Sequence, residues 1–162
     1  MKSARIHAFI LAFAAAGMLT LNPAWAMDET KPESKAPKDP ALEQARAAIG
    51  KQDWTGAQKV LREAVARNPQ DADYHNLYAY SIRKGEKPAM DLVFRHYNEA
   101  LRIDPKHRGT HEYIGEAYLM SGNVPKAKEH LAQLDKLCTF GCDEYTKLKK
   151  EVALYEQQHA KK

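Results

Sequence analysis

The sequence has few of the residues and motifs from which catalytic and metal sites are built. It contains two cysteines in 162 residues. It also lacks an H-E-x-x-H zinc motif, a glycine-rich phosphate loop and a G-x-S-x-G nucleophile turn. Carboxylates are plentiful, but carboxylates on helices usually belong to solvated faces with i,i+4 pairs such as Glu63 and Arg67. We therefore expect a binding protein rather than an enzyme, with no cofactor and no metal.

A strong excess of one charge is also missing. The formal net charge is +4, and Lys2 and Arg5 supply part of it from the N-terminal segment described next. Without them, 23 basic residues face 21 acidic ones. Proteins that bind nucleic acid usually gather Lys and Arg into a stripe or patch. The charge pattern therefore predicts no nucleic-acid partner.

Only the N-terminus carries a long apolar run. Residues 8–21 are uncharged, follow Lys2 and Arg5, and precede the small-x-small site Ala24-Trp25-Ala26, as in a secretory signal peptide. A membrane anchor is the alternative, but residues 8–21 as a helix would span about 21 Å of a core of about 30 Å. We predict cleavage near Ala26, a periplasmic or secreted protein, and no membrane contact after cleavage.

The segments at both ends of the mature chain are polar. Residues 27–40 contain three prolines and many charges, and such a composition buries too little apolar surface to offset the entropy of ordering. We predict that they form a flexible leader, with a docking tail for a partner as the alternative. Residues 159–162 are predicted to be a disordered tail, which leaves 41–158 as one domain.

Three segments of that domain share one residue spacing. The copies are Ala57-x3-Leu61-x2-Ala64-x4-Pro69, Val93-x3-Tyr97-x2-Ala100-x4-Pro105 and Ala127-x3-Leu131-x2-Leu134-x4-Thr139. Ahead of them lie Gln44-Ala45-x2-Ala48, Tyr78-Ala79-x2-Ile82 and Ile114-Gly115-x2-Tyr118. This pattern resembles the tetratricopeptide repeat, a helix-turn-helix unit of about 34 residues. The resemblance covers about residues 40 to 139 and implies an all-α solenoid of three helix pairs.

Two features depart from the regular pattern. Pro69 and Pro105 are 36 residues apart, which indicates an insertion, and we place it in the turn formed by residues 85–88. The third copy has Thr139 in place of the closing proline. We therefore expect the chain to leave the regular pattern at that point.

Individual residues support the helices independently. Asp53 and Asn123 stand where a helix N-cap belongs, because their side-chain oxygens can accept from unpaired backbone N–H groups. Ala45, Ala79 and Gly115 are small, and we expect each to lie where the two helices of a pair cross closely.

A seventh helix is predicted beyond the third copy. Its apolar residues recur at helical spacing, and charged residues lie between them. A repeat stack needs such a helix, because its last repeat would otherwise expose apolar surface. The stripe consists of Tyr145, Leu148, Val152 and Tyr155.

The two cysteines, Cys138 and Cys142, are spaced C-x3-C just before this helix. In an oxidising compartment the first interpretation is a disulfide between them, which would join the cap to the third repeat. Free thiols are one alternative. A redox or metal-handling pair is another, although C-x3-C lacks the spacing of the known redox and metal motifs.

Six histidines remain after cleavage, and no supporting ligand motif accompanies them. His107 and His111 are four residues apart and could form a metal edge on one helix. Pro105 and Gly109 lie around them, however, so we expect both to straddle the turn into the third repeat. We interpret the histidines as surface or half-buried structural residues.

The resemblance also implies a binding surface, because the first helices of successive repeats line a groove in this family. Tyr80 and Tyr113 would be aromatic platforms there, or else core residues. The positions that grip a C-terminal carboxylate in chaperone-binding members hold Leu42, Arg46, Leu77, Gly109 and Tyr113, of which only Arg46 could serve. The implied groove residues are Arg46, Asn76, Tyr80, Arg83, Glu112, Tyr113 and Glu116.

The function predicted from the sequence is a periplasmic scaffold or adaptor that binds a protein or an extended peptide in this groove. The alternative is a thiol-based redox or metal-handling accessory protein that uses Cys138 and Cys142. Thiol titration with and without a reductant would distinguish the two.

Overall fold

The computed structural model describes residues 39–160, so the predicted signal peptide and most of the predicted leader lie outside the described residues. The described part contains seven α-helices and no strand. None of these helices has the length and apolar character needed to cross a membrane. The helices are α1 (Pro40–Gly50), α2 (Trp54–Arg67), α3 (Ala72–Lys84), α4 (Met90–Ile103), α5 (Arg108–Met120), α6 (Val124–Leu137) and α7 (Asp143–His159).

The helices form three consecutive pairs followed by α7, which confirms the predicted architecture. Asp53 caps α2 by accepting from Gly56 N at 2.8 Å, and Asn123 caps α6 by accepting from Lys126 N at 3.2 Å. The turn between α3 and α4 covers residues 85–89, whereas the equivalent turns cover residues 51–53 and 121–123. The insertion predicted from the proline spacing is therefore confirmed.

The ends of the helical domain lie close to the sequence-based boundaries. Pro40, assigned above to the leader, is the first residue of α1, and His159 is the last residue of α7. Asp39 fixes the first of these ends. Its carboxylate accepts from Ala41 N at 2.8 Å and from the Tyr74 hydroxyl at 2.5 Å.

The core consists of three apolar clusters, and each includes side chains from the helix that follows its own pair. Tyr74 of α3 completes the first cluster, Ile114 of α5 the second, and Leu148 and Val152 of α7 the third. The closing helix α7 therefore supplies the third repeat with the apolar contacts that a fourth repeat would provide.

Gly115 differs from its predicted role. A Cβ atom at Gly115 would lie 2.6 Å from Cδ2 and 2.8 Å from Cδ1 of Leu148. The nearest side chain at this glycine therefore belongs to α7, the cap helix. The sequence pattern correctly indicated a close approach here but did not indicate that α7 makes the nearest contact.

Candidate functional site: the groove

A surface pocket of about 460 Å³ opens on the face shared by the first helices of the three pairs. We call this surface the groove. Helix α7 adds Glu144 to its rim. The pocket is lined by Arg46, Ile49, Gly50, Asp73, Asn76, Leu77, Tyr80, His107, Gly109, Tyr113 and Glu144. The structure thus brings together four of the seven residues implied by the resemblance, namely Arg46, Asn76, Tyr80 and Tyr113.

Asn76 is the most unusual residue of the groove. It is 3% exposed, and its side-chain oxygen has no hydrogen-bond partner within the described part of the chain. Its amide nitrogen faces Gly109, where an added Cβ would lie 3.5 Å away. An unsatisfied buried polar atom costs about 1–3 kcal/mol. The residues that line the groove therefore include one with a buried acceptor and no donor.

Aromatic rings form a continuous row beside Asn76. The Tyr80 and Tyr113 centroids are 4.6 Å apart, and Trp54 packs edge-on against Tyr80 at 6.1 Å. Both tyrosines are partly exposed, so the two alternatives above combine: each ring packs against a neighbour and also faces the groove. Burial raises the pKa of Tyr113 to about 12, so its hydroxyl stays neutral.

Arg83 is not presented to a ligand, contrary to the sequence-based expectation. It is 5% exposed, and its guanidinium donates to Glu116 at 2.6 Å and to the Tyr97 hydroxyl at 3.4 Å. The guanidinium carbon also lies 5.5 Å from the Tyr80 centroid and 5.9 Å from the Tyr113 centroid. Arg83 and Glu116 therefore neutralise each other and hold the two tyrosine rings in place. A long side chain can reach back under its own helix, which residue spacing does not reveal.

Glu112 is also buried, with 4% of its surface exposed. Its nearest cation is Lys147 Nζ at 3.9 Å, beyond hydrogen-bond distance. Desolvation raises the pKa of Glu112 to about 7; the Lys147 ammonium opposes this shift, and the carboxylates of Glu116 and Glu144 add to it. Glu112 is thus a desolvated acid whose main compensating charge is the Lys147 ammonium.

The remaining charges at the rim are paired. Asp73 accepts from His107 Nε2 at 3.3 Å and lies 3.7 Å from Arg46 Nη2. The His107 hydrogen bond holds the pKa of Asp73 below its usual value. The side chain of Arg46 is 55% exposed, so of the seven implied residues it is the one that extends farthest into solvent.

A second cavity of about 670 Å³ lies where the C-terminal ends of α3, α5 and α7 meet. Its lining includes Arg83 and Glu116, which pair with each other, and the exposed side chains of Met120 and Leu154. The buried polar groups of this cavity therefore have partners inside the protein, unlike Asn76 in the groove.

Cys138 and Cys142 form a disulfide in the structure, with their Cα atoms 5.6 Å apart. Cys138 ends α6, and Cys142 begins α7, where its sulfur accepts from Tyr145 N at 3.4 Å. The bridge joins the cap helix to the third repeat, as the first interpretation of the cysteines proposed.

Four histidines form two equivalent pairs, each with one buried and one half-buried ring, that the sequence analysis missed. His75 Nδ1 lies 2.9 Å from His96 Nδ1, and His75 Nε2 lies 3.1 Å from the Pro69 carbonyl. His111 repeats this arrangement with His130 at 2.9 Å and the Pro105 carbonyl at 3.1 Å. The 36-residue separation shared by His75–His111 and Pro69–Pro105 was the available signal.

His107 and His111 lie at the turn into the third repeat. His107 caps α5 by accepting from Thr110 N at 3.0 Å, so the turn expected around His107 and His111 is confirmed. Within residues 39–160, no group of three metal-ligating side chains comes together.

Comparisons with known proteins identify the fold. The family model of the tetratricopeptide repeat matches residues 42–89. The TPR2B domain of yeast Sti1, solved as a complex with pHsp70, is similar with a TM-score of 0.64 and 20% identity over 74% of this chain and 95% of that one. The Yersinia enterocolitica type III secretion chaperone SycD, in complex with a peptide of the translocator YopD, has a TM-score of 0.60 and 16% identity over 73% and 88% of the two chains.

A third similar structure is a thermophilic tetratricopeptide-repeat protein of Thermus thermophilus, with a TM-score of 0.61 and 19% identity over 75% of this chain and 66% of that one. A search of curated protein sequences found no match. With the seven helices described above, these likenesses confirm an all-α tetratricopeptide-repeat fold.

Proposed function

We propose that this tetratricopeptide-repeat chain is an exported, non-catalytic scaffold that binds an extended segment of a partner protein in the groove. The observation that carries the proposal is Asn76, a residue of the pocket lining whose buried side-chain oxygen has no partner within the described residues. An extended peptide carries backbone N–H groups that could satisfy this oxygen. The cost of leaving Asn76 unsatisfied in the free protein would then be recovered on binding.

The surroundings of Asn76 support a peptide rather than a small molecule. Tyr80 and Tyr113 offer a rigid aromatic surface, because Arg83 and Trp54 pack against them. Rigid tyrosines contribute contact area with little loss of side-chain entropy and are common binding hot spots. The pocket is also open to solvent, which suits a segment that continues beyond it.

Similar proteins agree with this proposal. The Sti1 domain was solved with pHsp70 bound and SycD with a YopD peptide, so two proteins of this fold take protein or peptide partners. We carry over only the class of partner, because the identities are 20% and 16%.

Export is part of the proposal and has its own test. If residues 1–26 are a cleaved signal, the exported protein begins at Met27 or within one residue of it. The intact mass of the protein recovered from the periplasm or the medium measures this directly. A mass that includes Lys2 and Arg5 would rule out cleavage.

Site-specific photo-crosslinking tests the binding face. A photoreactive amino acid placed at Arg46, in the groove, should give a discrete adduct with a partner in the cells that export the protein. The same amino acid at Arg95, an exposed residue of α4 outside the groove, is the matched control and should give none. Adducts at Arg95 but not at Arg46 would place the binding face elsewhere.

A further inference from the structure

Three large apolar side chains are exposed in the part of the chain that the structure describes. Phe140 is fully exposed, Met120 is 56% exposed and Leu154 is 38% exposed. Met120 and Leu154 lie together, because both line the cavity of about 670 Å³ where the C-terminal ends of α3, α5 and α7 meet. We call it the C-terminal cavity. Phe140 lies beyond the opposite end of α7, so the three side chains occupy two separate places.

Phe140 lies on a turn that is closed in two ways. It stands between Cys138 and Cys142, which are joined by the disulfide, and Gly141 N donates to the Cys138 carbonyl at 2.8 Å. The ring belongs to none of the three apolar clusters, so it contributes nothing to the core. A loop that is constrained before binding loses less conformational entropy when it binds. The turn therefore presents Phe140 in a form suited to enter an apolar pocket of another molecule.

Phe140 cannot enter the C-terminal cavity of its own chain. Helix α7 begins at Asp143, just after the turn, and Leu154 lines the cavity from the C-terminal half of the same helix. A helix rises about 1.5 Å per residue, so the part of α7 from Asp143 to Leu154 spans about 16 Å. The disulfide holds Phe140 beyond the start of that span. Phe140 can therefore reach this cavity only in a second copy of the chain.

The C-terminal cavity has the size and the lining to take a phenyl ring. An apolar cavity of about 150 Å³ can hold a benzene molecule, so 670 Å³ leaves room for the ring and for part of the turn that carries it. Met120 is flexible, and its sulfur makes favourable contacts with aromatic rings. Leu119, Leu154 and Tyr155 add apolar surface to the lining. A phenylalanine would thus cover the exposed side chains of the cavity.

The lining of the C-terminal cavity also carries one free charge of each sign. Arg83 and Glu116 pair with each other at 2.6 Å. Lys84 and Glu151 are exposed, and neither forms an ion pair with another described residue. A surface that matches this lining therefore needs one acidic and one basic group.

The turn that carries Phe140 has both groups. Lys136 and Asp143 flank the turn, both are exposed, and neither forms an ion pair within residues 39–160. When Phe140 enters the cavity of another copy, Asp143 can pair with Lys84, and Lys136 can pair with Glu151. Exposed ion pairs add little affinity, but complementary charges fix the orientation of two surfaces.

We propose that copies of this chain associate head to tail, with Phe140 of one copy inserted into the C-terminal cavity of the next. The two surfaces differ, so the contact is heterologous, and the assembly grows into open chains unless its rotation closes a ring. One inserted side chain and its rim form a small contact, which places the association in the weak class. No residue of the groove pocket lines the C-terminal cavity, so this inference goes beyond the proposed function and does not depend on it.

Two variants and their mixture test the inference in the protein without residues 1–26. Phe140→Ser removes the inserted ring, and Met120→Glu places a charge in the cavity. Sedimentation velocity from about 10 µM to about 1 mM covers weak association. The wild-type protein should grow in mass with concentration, and each variant alone should associate at least about tenfold more weakly, as expected for one large apolar side chain left unburied. The equimolar mixture should form a dimer that does not grow, because one variant keeps the cavity and the other keeps the turn.

Controls locate the contact and verify folding. Both replaced side chains are exposed, so circular dichroism of the two variants should match that of the wild type. Thr139→Ser changes an exposed neighbour in the same turn and should leave the association unchanged. In methyl NMR of methionine-labelled Phe140→Ser, unlabelled Met120→Glu should shift the Met120 signal and leave that of Met90, at the start of α4, in place.

Each contrary result overturns the inference. A wild-type protein that stays monomeric over the whole range shows that Phe140 does not bind a second copy. A mixture of the two variants that stays monomeric contradicts the head-to-tail arrangement, since the two intact surfaces are then present and do not meet. Association that both variants leave unchanged places the contact elsewhere on the molecule. The crosslink at Arg46 decides separately whether the groove binds a partner.

Discussion

Replacing Gly115 with alanine should weaken the attachment of α7. The new Cβ would lie 2.6, 2.8 and 3.3 Å from Cδ2, Cδ1 and Cγ of Leu148, a side chain with no exposed surface. Forcing a methyl group into a packed core costs about 1–3 kcal/mol. Alanine is about 1 kcal/mol better than glycine inside a helix, so we expect a net loss of about 1 kcal/mol.

The sign of this effect should reverse once Leu148 is shortened. Leu148→Ala alone should cost about 2–5 kcal/mol, because it leaves a cavity in the third cluster. In that background the alanine at position 115 meets no leucine, and its helix propensity should stabilise the protein by about 1 kcal/mol. Urea unfolding followed by far-ultraviolet circular dichroism measures all four proteins.

Gly50→Ala is the control for this double-mutant cycle of Gly115 and Leu148. Gly50, the last residue of α1, has no atom within 4 Å of an added Cβ, so Gly50→Ala should cost nothing measurable. If Gly115→Ala changes stability equally with leucine or alanine at position 148, the two residues are not coupled. The proposed fit of α7 against α5 would then be wrong.

Three further predictions concern protons and thiols. Burial lowers the pKa of His96 and His130 to about 4, so between about pH 4 and 6.5 the unfolded chain binds more protons than the folded one. The free energy of unfolding should therefore fall as pH is lowered through that range, and it should fall less steeply when both residues are changed to glutamine. The pKa of Glu112 is raised to about 7, so ionisation of this carboxyl opposes folding at pH values above the pKa range of ordinary carboxyl groups. Urea unfolding at pH 8 should therefore show Glu112→Gln to be about 1–2 kcal/mol more stable than wild type. Non-reducing peptide mapping of exported protein should find Cys138 and Cys142 in one linked peptide, and two alkylatable thiols would contradict the pairing. Reduction of the disulfide should lower the free energy of unfolding by about 2 kcal/mol.

Local chemistry explains what the sequence could predict. Asp53 and Asn123 cap helices through bonds to backbone three residues away, and the proline spacing located the longer turn. Such features depend only on neighbours along the chain. The sequence pattern therefore predicted the seven helices, their pairing and the capping role of α7.

Contacts between repeats could not be predicted in this way. Helical spacing places Arg83 on the groove side of α3. It does not show whether the long side chain extends outward or returns to Glu116 and Tyr97. It likewise gives no indication that Leu148 fills the space at Gly115. These outcomes depend on how the helices cross, which is a property of the assembled solenoid.

Substitution of Asn76 by leucine tests the central claim most directly, because binding and stability should change in opposite directions. Leucine has a similar size and carries no unsatisfied polar atom, so the free protein should gain about 1 kcal/mol of unfolding free energy. The partner identified by the crosslink at Arg46 should bind at least about tenfold more weakly to the variant. A variant that is less stable, or that binds with wild-type affinity, would contradict the account, since Asn76 would then serve the fold and not the ligand.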